Sequence, residues 1–215
     1  MNSNIKWKID NDFNLLKENL VTRNYKVEIF ENSDELIEYF KNNIKKEKVI
    51  GVGGSTTLSE IGLIENMIDS GYNVLNRNKA GLSREEKHKL QRAALTSDVF
   101  ICSVNAISID GQIINIDHTG NRVSAILYGP REVYLIIGYN KVCWSLDEAM
   151  NRARLFAAPL NAKRSEEKYS PPCLKHGQCV RCNSNKSICS VTSIMETCSE
   201  KGRIKVLLVK ESLGF

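Results

Sequence analysis

The chain has 215 residues, 42% of them apolar, which is enough for one large domain with a substantial core. Its net charge of +5 comes with no concentrated basic patch and no nucleic-acid-binding fold signature, so no nucleic-acid partner is expected. No apolar run approaches the ~20 residues of a membrane span, and the N-terminus has no signal-peptide hydrophobic region, so a soluble, cytoplasmic protein without a membrane partner is expected.

Phe13, Leu16 and Leu20 at helical spacing predict an amphipathic helix over residues 5–22, within an N-terminal helical segment 1–25. Residues 26–30 alternate as a short strand. Ser33 is the expected cap of the next helix, with Asp34 and Glu35 in its first turn and Leu36, Ile37, Phe40 and Ile44 facing a core. A short buried strand over 49–52 runs into a glycine-rich loop. One helix is expected over 56–69, stopped by Gly71, and then a strand over 73–75. Ser83 and Glu86 have capping-box spacing and open a helix to residue 95. Strands follow over 99–104 and 112–116, then a short helix over 120–128 ended by Gly129-Pro130. A strand over 133–137, a helix over 146–157 and a nearly continuous apolar strand over 204–209 complete the chain. Short strands alternating with helices predict a single α/β domain, 1–215, with a Rossmann-like, mostly parallel mixed sheet. Residues 165–200 read as a cysteine-rich insertion before the last strand.

The loop Gly51-Val-Gly-Gly-Ser-Thr-Thr57 follows a strand and leads into a helix. Glycines admit close backbone approach, and N–H groups with the hydroxyls of Ser55 and Thr56 suit a phosphate or carboxylate. It has neither P-loop nor full Rossmann spacing. The competing reading is a tight turn with Ser55 or Thr56 as helix cap. Residues 105–122 pack Asn105, Asp110, Gly111, Asn115, Asp117, His118, Thr119, Gly120, Asn121 and Arg122 between two apolar strands. Loops at strand ends are where α/β proteins place ligand chemistry. Asp110 and Asp117 are the candidate acid–base carboxylates, although Asp110-Gly111 also reads as a plain turn. Arg122 suits bidentate pairing with an anion, or else a surface salt bridge. Lys141, at the end of the next strand, either enters the same crevice or is solvated.

Seven cysteines in a reducing compartment point to free thiols, metal or redox chemistry rather than disulfides. Cys173, Cys179, Cys182 and Cys189 lie within one short polar stretch, with one pair at Cys-x2-Cys spacing. Four thiolates so placed can hold an iron–sulfur cluster or zinc. Gly177 and Asn183 would permit the turns between them, and Lys175, Arg181 and Lys186 would favour thiolates. The competing reading is a mobile thiol-rich loop that binds nothing. From Lys163 to Arg203 there are eight Lys/Arg against four Glu, so most of the net positive charge lies in this region.

GVGGSTTLSEIG, SVNAISIDGQIINIDHTGNRVSAILYGP, EVYLIIGYNKV and LLVKESLGF together resemble the LUD-domain family, the lactate-utilisation proteins. The resemblance covers roughly residues 49–215. It implies a fold of the ribose-5-phosphate isomerase and CoA-transferase type. Gly53, Gly54, Ser55 and Thr56 look like the phosphate-binding turn of sugar-phosphate isomerases. Asp110-Gly111 through Gly120 looks like the Asp-Gly and Gly-Thr loops of methylthioribose-phosphate isomerase relatives. Asn105 stands where those isomerases are expected to place a catalytic acid, and no glutamate matches a CoA-transferase nucleophile. The implied function is a role in, or accessory to, lactate or 2-hydroxy-acid metabolism, binding a small anionic metabolite, phosphorylated or not. A non-catalytic iron–sulfur or scaffold subunit of an oxidoreductase complex is the second reading. An isomerase or acyl/CoA-transferase type of enzyme is the third. Fold kinship alone does not choose among them.

Overall fold

The computed structural model describes residues 2–182 and 185–215. Helix α1 (Ser3–Thr22) buries Ile9, Phe13, Leu16 and Leu20, the stripe that the spacing predicts. Strand β1 (Lys26–Phe30) follows, then α2 (Ser33–Asn43). The cap of α2 is Asn32, not Ser33. The Asn32 side chain accepts the Glu35 N–H at 2.9 Å, while the Ser33 N–H donates to Glu211 at 3.1 Å. Strand β2 (Val49–Val52) leads to α3 (Thr56–Glu60) and α4 (Leu63–Asp69). The single helix expected over 56–69 is therefore two. Gly62 between them takes a left-handed φ of 60°, which breaks the helical ladder.

After β3 (Asn73–Leu75), α5 (Arg84–Ala93) starts with both reciprocal bonds of the Ser83–Glu86 capping box in place. Strands β4 (Val99–Cys102), β5 (Ala106–Ser108) and β6 (Ile113–Asp117) precede α6 (Asn121–Leu127). Next come β7 (Glu132–Gly138), β8 (Val142–Cys143) and α7 (Leu146–Asn151). The helix expected to end at residue 157 instead passes through a π-helical stretch, Arg152–Ala157, into α8 (Ala158–Arg164). Pro159 has no N–H to continue the ordinary ladder, and the wider register precedes it. The short α9 (Cys173–His176), β9 (Val191–Met195) and β10 (Ile204–Val209) complete the described elements.

Six strands form one all-parallel sheet in the order β1-β10-β7-β4-β2-β3. Its two faces have separate cores. Along β7, Val133, Leu135 and Ile137 pack with α1 residues Phe13 and Leu16, whereas Tyr134 and Ile136 pack with Phe40 and Leu58. This strict alternation makes the strand read as continuously apolar. A second sheet, β8-β5-β6-β9, is mixed. Ile107 and Ile113 on one of its faces join the core shared with α1, while Ala106, Ile114 and Ile116 pack against Ala149 and Ala153. The stretch 165–200 is thus more than a cysteine-bearing insertion, since β9 lies within it and completes this sheet. Among the described residues, no helix is long and apolar enough to cross a membrane.

Candidate functional site

In the main sheet the chain leaves β2 towards the edge strand β3, then returns to place β4 on the other side of β2. Loops leaving β2 and β4 therefore diverge, and a crevice opens at the C-terminal ends of those strands. A cavity of about 190 Å³ lies there. Each neighbouring strand end contributes to it. Gly54, Ser55, Thr56 and Thr57 follow β2, Arg77 follows β3, Ser103 and Asn105 follow β4, and Lys141 follows β7. Asp117, Thr119, Asn121 and Arg122 come from the β6–α6 junction, and Asn161, Arg164 and Tyr169 from α8 and the segment after it. The expected glycine loop and the expected polar loops thus meet in one place.

Lys141 forms the floor. Its side chain is almost wholly buried, at 2% exposure, and Nζ donates to Thr57 Oγ1 and Ser103 Oγ, both at 2.8 Å. Burial, with the nearby Arg152 and Arg122 charges, pulls its pKa down to about 7. A buried amine held by two neutral hydroxyls is placed to change charge near neutrality.

Arg122 forms the salt bridge that was its alternative reading, but largely buried rather than at the surface. Nε donates to Asp117 Oδ1 at 3.0 Å, one terminal nitrogen donates to the Ser103 carbonyl at 3.0 Å, and the other donates to Asn105 Oδ1 at 2.8 Å and to the Ile116 carbonyl at 3.0 Å. Both Asp117 and Arg122 side chains are only 12% exposed. Asp117 Oδ2 also accepts the backbone N–H groups of Arg122 and Val123, each at 3.1 Å. Asn105 Oδ1 accepts the Ile116 N–H at 2.8 Å. These three residues form a truss that ties the loop after β4 to the β6–α6 junction. Arg152 extends it, with Nε donating to the Asn140 carbonyl at 2.7 Å and a terminal nitrogen to the Asn105 carbonyl.

The remaining cations face the cavity itself. Arg77 makes no hydrogen bond or ion pair among the described residues, and burial holds its guanidinium below the ordinary arginine range. Its terminal nitrogen lies against Gly54. A Cβ built on that residue would stand 2.2 Å from it, so glycine there admits the arginine. Arg164 donates to Thr56 Oγ1 at 2.9 Å and to Asn161 Oδ1 at 2.6 Å, and its guanidinium lies over the Phe215 ring. Among the described residues, four cationic side chains line the space with one acidic side chain, Asp117, and that carboxylate is committed to Arg122.

Other expected residues are placed differently. Ser55 lines the cavity and also caps α3, its Oγ accepting the Leu58 N–H at 3.3 Å, so both readings of the glycine loop describe it. Gly53 lies beneath the loop, where a built Cβ would come 2.8 Å from Cys102. Burial raises the Cys102 thiol to about 12, as suits a core residue. Gly120 supplies the left-handed turn, φ 77°, that starts α6. Thr119 donates to Asn121 Oδ1 at 2.7 Å, and the His118 ring packs edge-on against Tyr169 at 4.8 Å.

Asp110 is exposed at the β5–β6 hairpin tip, where Gly111 takes a φ of 92°; the turn reading applies, and this carboxylate is not in the cavity. Asn115 is also outside it. This fully buried residue pairs across β6–β9 with Ser193, and neither its amide atoms nor Ser193 Oγ has a partner among the described residues. Sequence reasoning missed Thr57, Arg77, Ser103 and Arg164. Arg77 and Arg164 sit in ordinary polar loop or helix-end sequence and become part of the site only when the sheet order is known.

The LUD domain family profile matches residues 13–209. A search of curated proteins gives no match. Among solved structures, a DUF162 family protein from Deinococcus radiodurans is 12% identical, with a TM-score of 0.54 over 94% of this chain and 98% of that one. Ribose 5-phosphate isomerase from Plasmodium falciparum is 16% identical, covering 52% of each chain with a TM-score of 0.34. Ribose 5-phosphate isomerase A from Neisseria gonorrhoeae is 18% identical, covering 54% of this chain and 57% of that one with a TM-score of 0.33.

Proposed function

The chain belongs to the LUD-domain family of lactate-utilisation-related proteins, and from that premise we propose that its cavity binds a small anionic metabolite, a 2-hydroxy acid or a phosphorylated relative. One observation carries this reading: Arg77, Arg164 and Lys141 face a shared space in which, among the described residues, the one carboxylate side chain is already paired. Like charges brought together with less counter-charge than cation are costly, and a bound carboxylate or phosphate relieves that cost. Neutral donors of the glycine loop and the Thr57 and Ser103 hydroxyls complete the anion's surroundings. The cavity volume of about 190 Å³ is below the range of roughly 300–1,000 Å³ typical for drug-sized ligands, which favours a compact metabolite.

Bound next to Lys141, the anion favours the ammonium over the amine. Lys141 then takes up a proton on binding whenever the pH lies above its free-state value of about 7. The same group can exchange a proton with a substrate hydroxyl or carbonyl that lies over it.

The test is calorimetric titration of the full chain with L-lactate, inorganic phosphate and ribose 5-phosphate at pH 6.5. At least one is expected to bind. Arg77→Ala and Arg164→Ala should each weaken that binding by about 1.5–3 kcal/mol, roughly 10- to 150-fold, through loss of a charged hydrogen bond. Millimolar concentrations of all three failing to bind, or binding that both variants leave unchanged, would overturn the reading.

A further inference from the structure

The anion cavity leaves the cysteine-bearing segment unexplained. Cys173, Cys179, Cys182 and Cys189 line one small cavity with Ala158, Pro159 and Ile188. Cys189 lies within electrostatic reach of the other three, and Cys173 within reach of Cys179 and Cys182. All seven cysteines are free thiols. Asn183, expected to form a turn between ligands, lies outside the described residues.

The backbone is shaped around sulfur. The Arg181 N–H donates to Cys179 Sγ at 3.4 Å, two residues back. Arg181 holds a φ of 48° in that turn, a left-handed conformation uncommon for a residue other than glycine. Gly177, also left-handed at 68°, ends α9 and turns the chain from Cys173 towards Cys179.

We infer that Cys173, Cys179, Cys182 and Cys189 together ligate a metal centre, zinc or an iron–sulfur cluster, that braces the outer wall of the anion cavity. Four cysteines are the full ligand set for either. Among the described residues, no three His, Cys, Asp or Glu side chains already stand in ligand geometry around one ion. The thiols surround a space without meeting in it, so the centre forms as metal draws the loop closed, coupling binding to local folding. The brace follows from shared walls. Ile188 lines both cavities, and α8 contributes Ala158 and Pro159 to the thiol cavity and Asn161 and Arg164 to the anion cavity.

The full chain, purified anaerobically, is assayed for zinc, iron and acid-labile sulfide, and reconstituted with each if found empty. One centre per chain is expected. Zinc without sulfide identifies the single ion, and iron with equivalent sulfide identifies the cluster. Cys179→Ser and Cys182→Ser should each lower metal content at least tenfold with the far-ultraviolet circular dichroism unchanged, while Cys143→Ser keeps it. Should the serine variants fail to fold, alkylation of wild-type protein decides: four thiols should be protected in the loaded chain and released by a chelator. A chain that stays metal-free after reconstitution, Ser variants that retain metal, or four thiols equally reactive with and without metal would overturn the assignment. Metal content reads this centre independently of the anion site, because Lys141→Met should abolish anion binding and leave the metal in place.

Discussion

Arg122→Ala is expected to destabilise the fold by about 3–5 kcal/mol, because it removes one partner of a largely buried ion pair and leaves the other uncompensated. Asp117 would keep the two backbone N–H groups of Arg122 and Val123 but lose the guanidinium. The Ser103 and Ile116 carbonyls and Asn105 Oδ1 would each lose a donor. The loop after β4 and the β6–α6 junction would then be held together less tightly. In a chain of this length the loss corresponds to a fall of roughly 10 °C in melting temperature. Arg122→Lys should recover less than half of it, since one ammonium cannot reproduce a planar fork with four partners. Urea denaturation at pH 7 reads the effect. A loss under 1 kcal/mol would show that the truss is not what holds these loops. A binding defect in Arg122→Ala is expected to follow from loop movement, in contrast to the direct losses at Arg77 and Arg164.

Arg122 also illustrates how far the sequence can be read. Its membership of the site was legible, because glycine, threonine and asparagine ahead of a short helix mark a strand-end loop. Its role was not, because a guanidinium with five donors serves a ligand or three loops equally well, and only the positions of Ser103, Asn105 and Ile116 decide. The main sheet was legible strand by strand, since its six members are short, apolar and separated by helices. Of the second sheet only β6 was, as the strand expected over 112–116. Strands β5 and β8 have three and two residues, too short for a period to show. Strand β9 alternates exposed and half-buried residues within a segment read through its cysteines. Gly62 was read as one more residue in an apolar-periodic stretch, and its left-handed conformation depends on where α4 packs, with Leu63, Ile64 and Met67 buried.

Lys141→Met should stabilise the folded chain at neutral pH while abolishing anion binding. Burying the lysine is costly: its pKa falls from the ordinary 10.5 to about 7, and each unit corresponds to about 1.4 kcal/mol. Methionine fills the space of its stem as far as Cε without the charge. The two hydroxyls it leaves, Thr57 Oγ1 and Ser103 Oγ, stand 3.3 Å apart, and Thr57 can also donate to the Leu213 carbonyl at 3.3 Å, so neither is stranded. A gain of about 1–3 kcal/mol is expected, the usual relation between a strained site and the stability it costs. The pH dependence has a definite sign. Between about pH 7 and 10.5 the unfolded chain holds a proton on Lys141 that the folded chain has released, so this residue makes stability rise with pH across that window. Below pH 7 both states are protonated and its penalty is constant. The difference between wild type and Lys141→Met should therefore be largest at or below pH 7 and shrink towards pH 10. Anion affinity runs the opposite way: it should fall as pH rises above 7, with proton uptake visible as a buffer-dependent binding enthalpy. Parallel stability profiles for the two proteins from pH 6 to 10 would show that Lys141 does not change charge there, and would remove it as the site's titrating group.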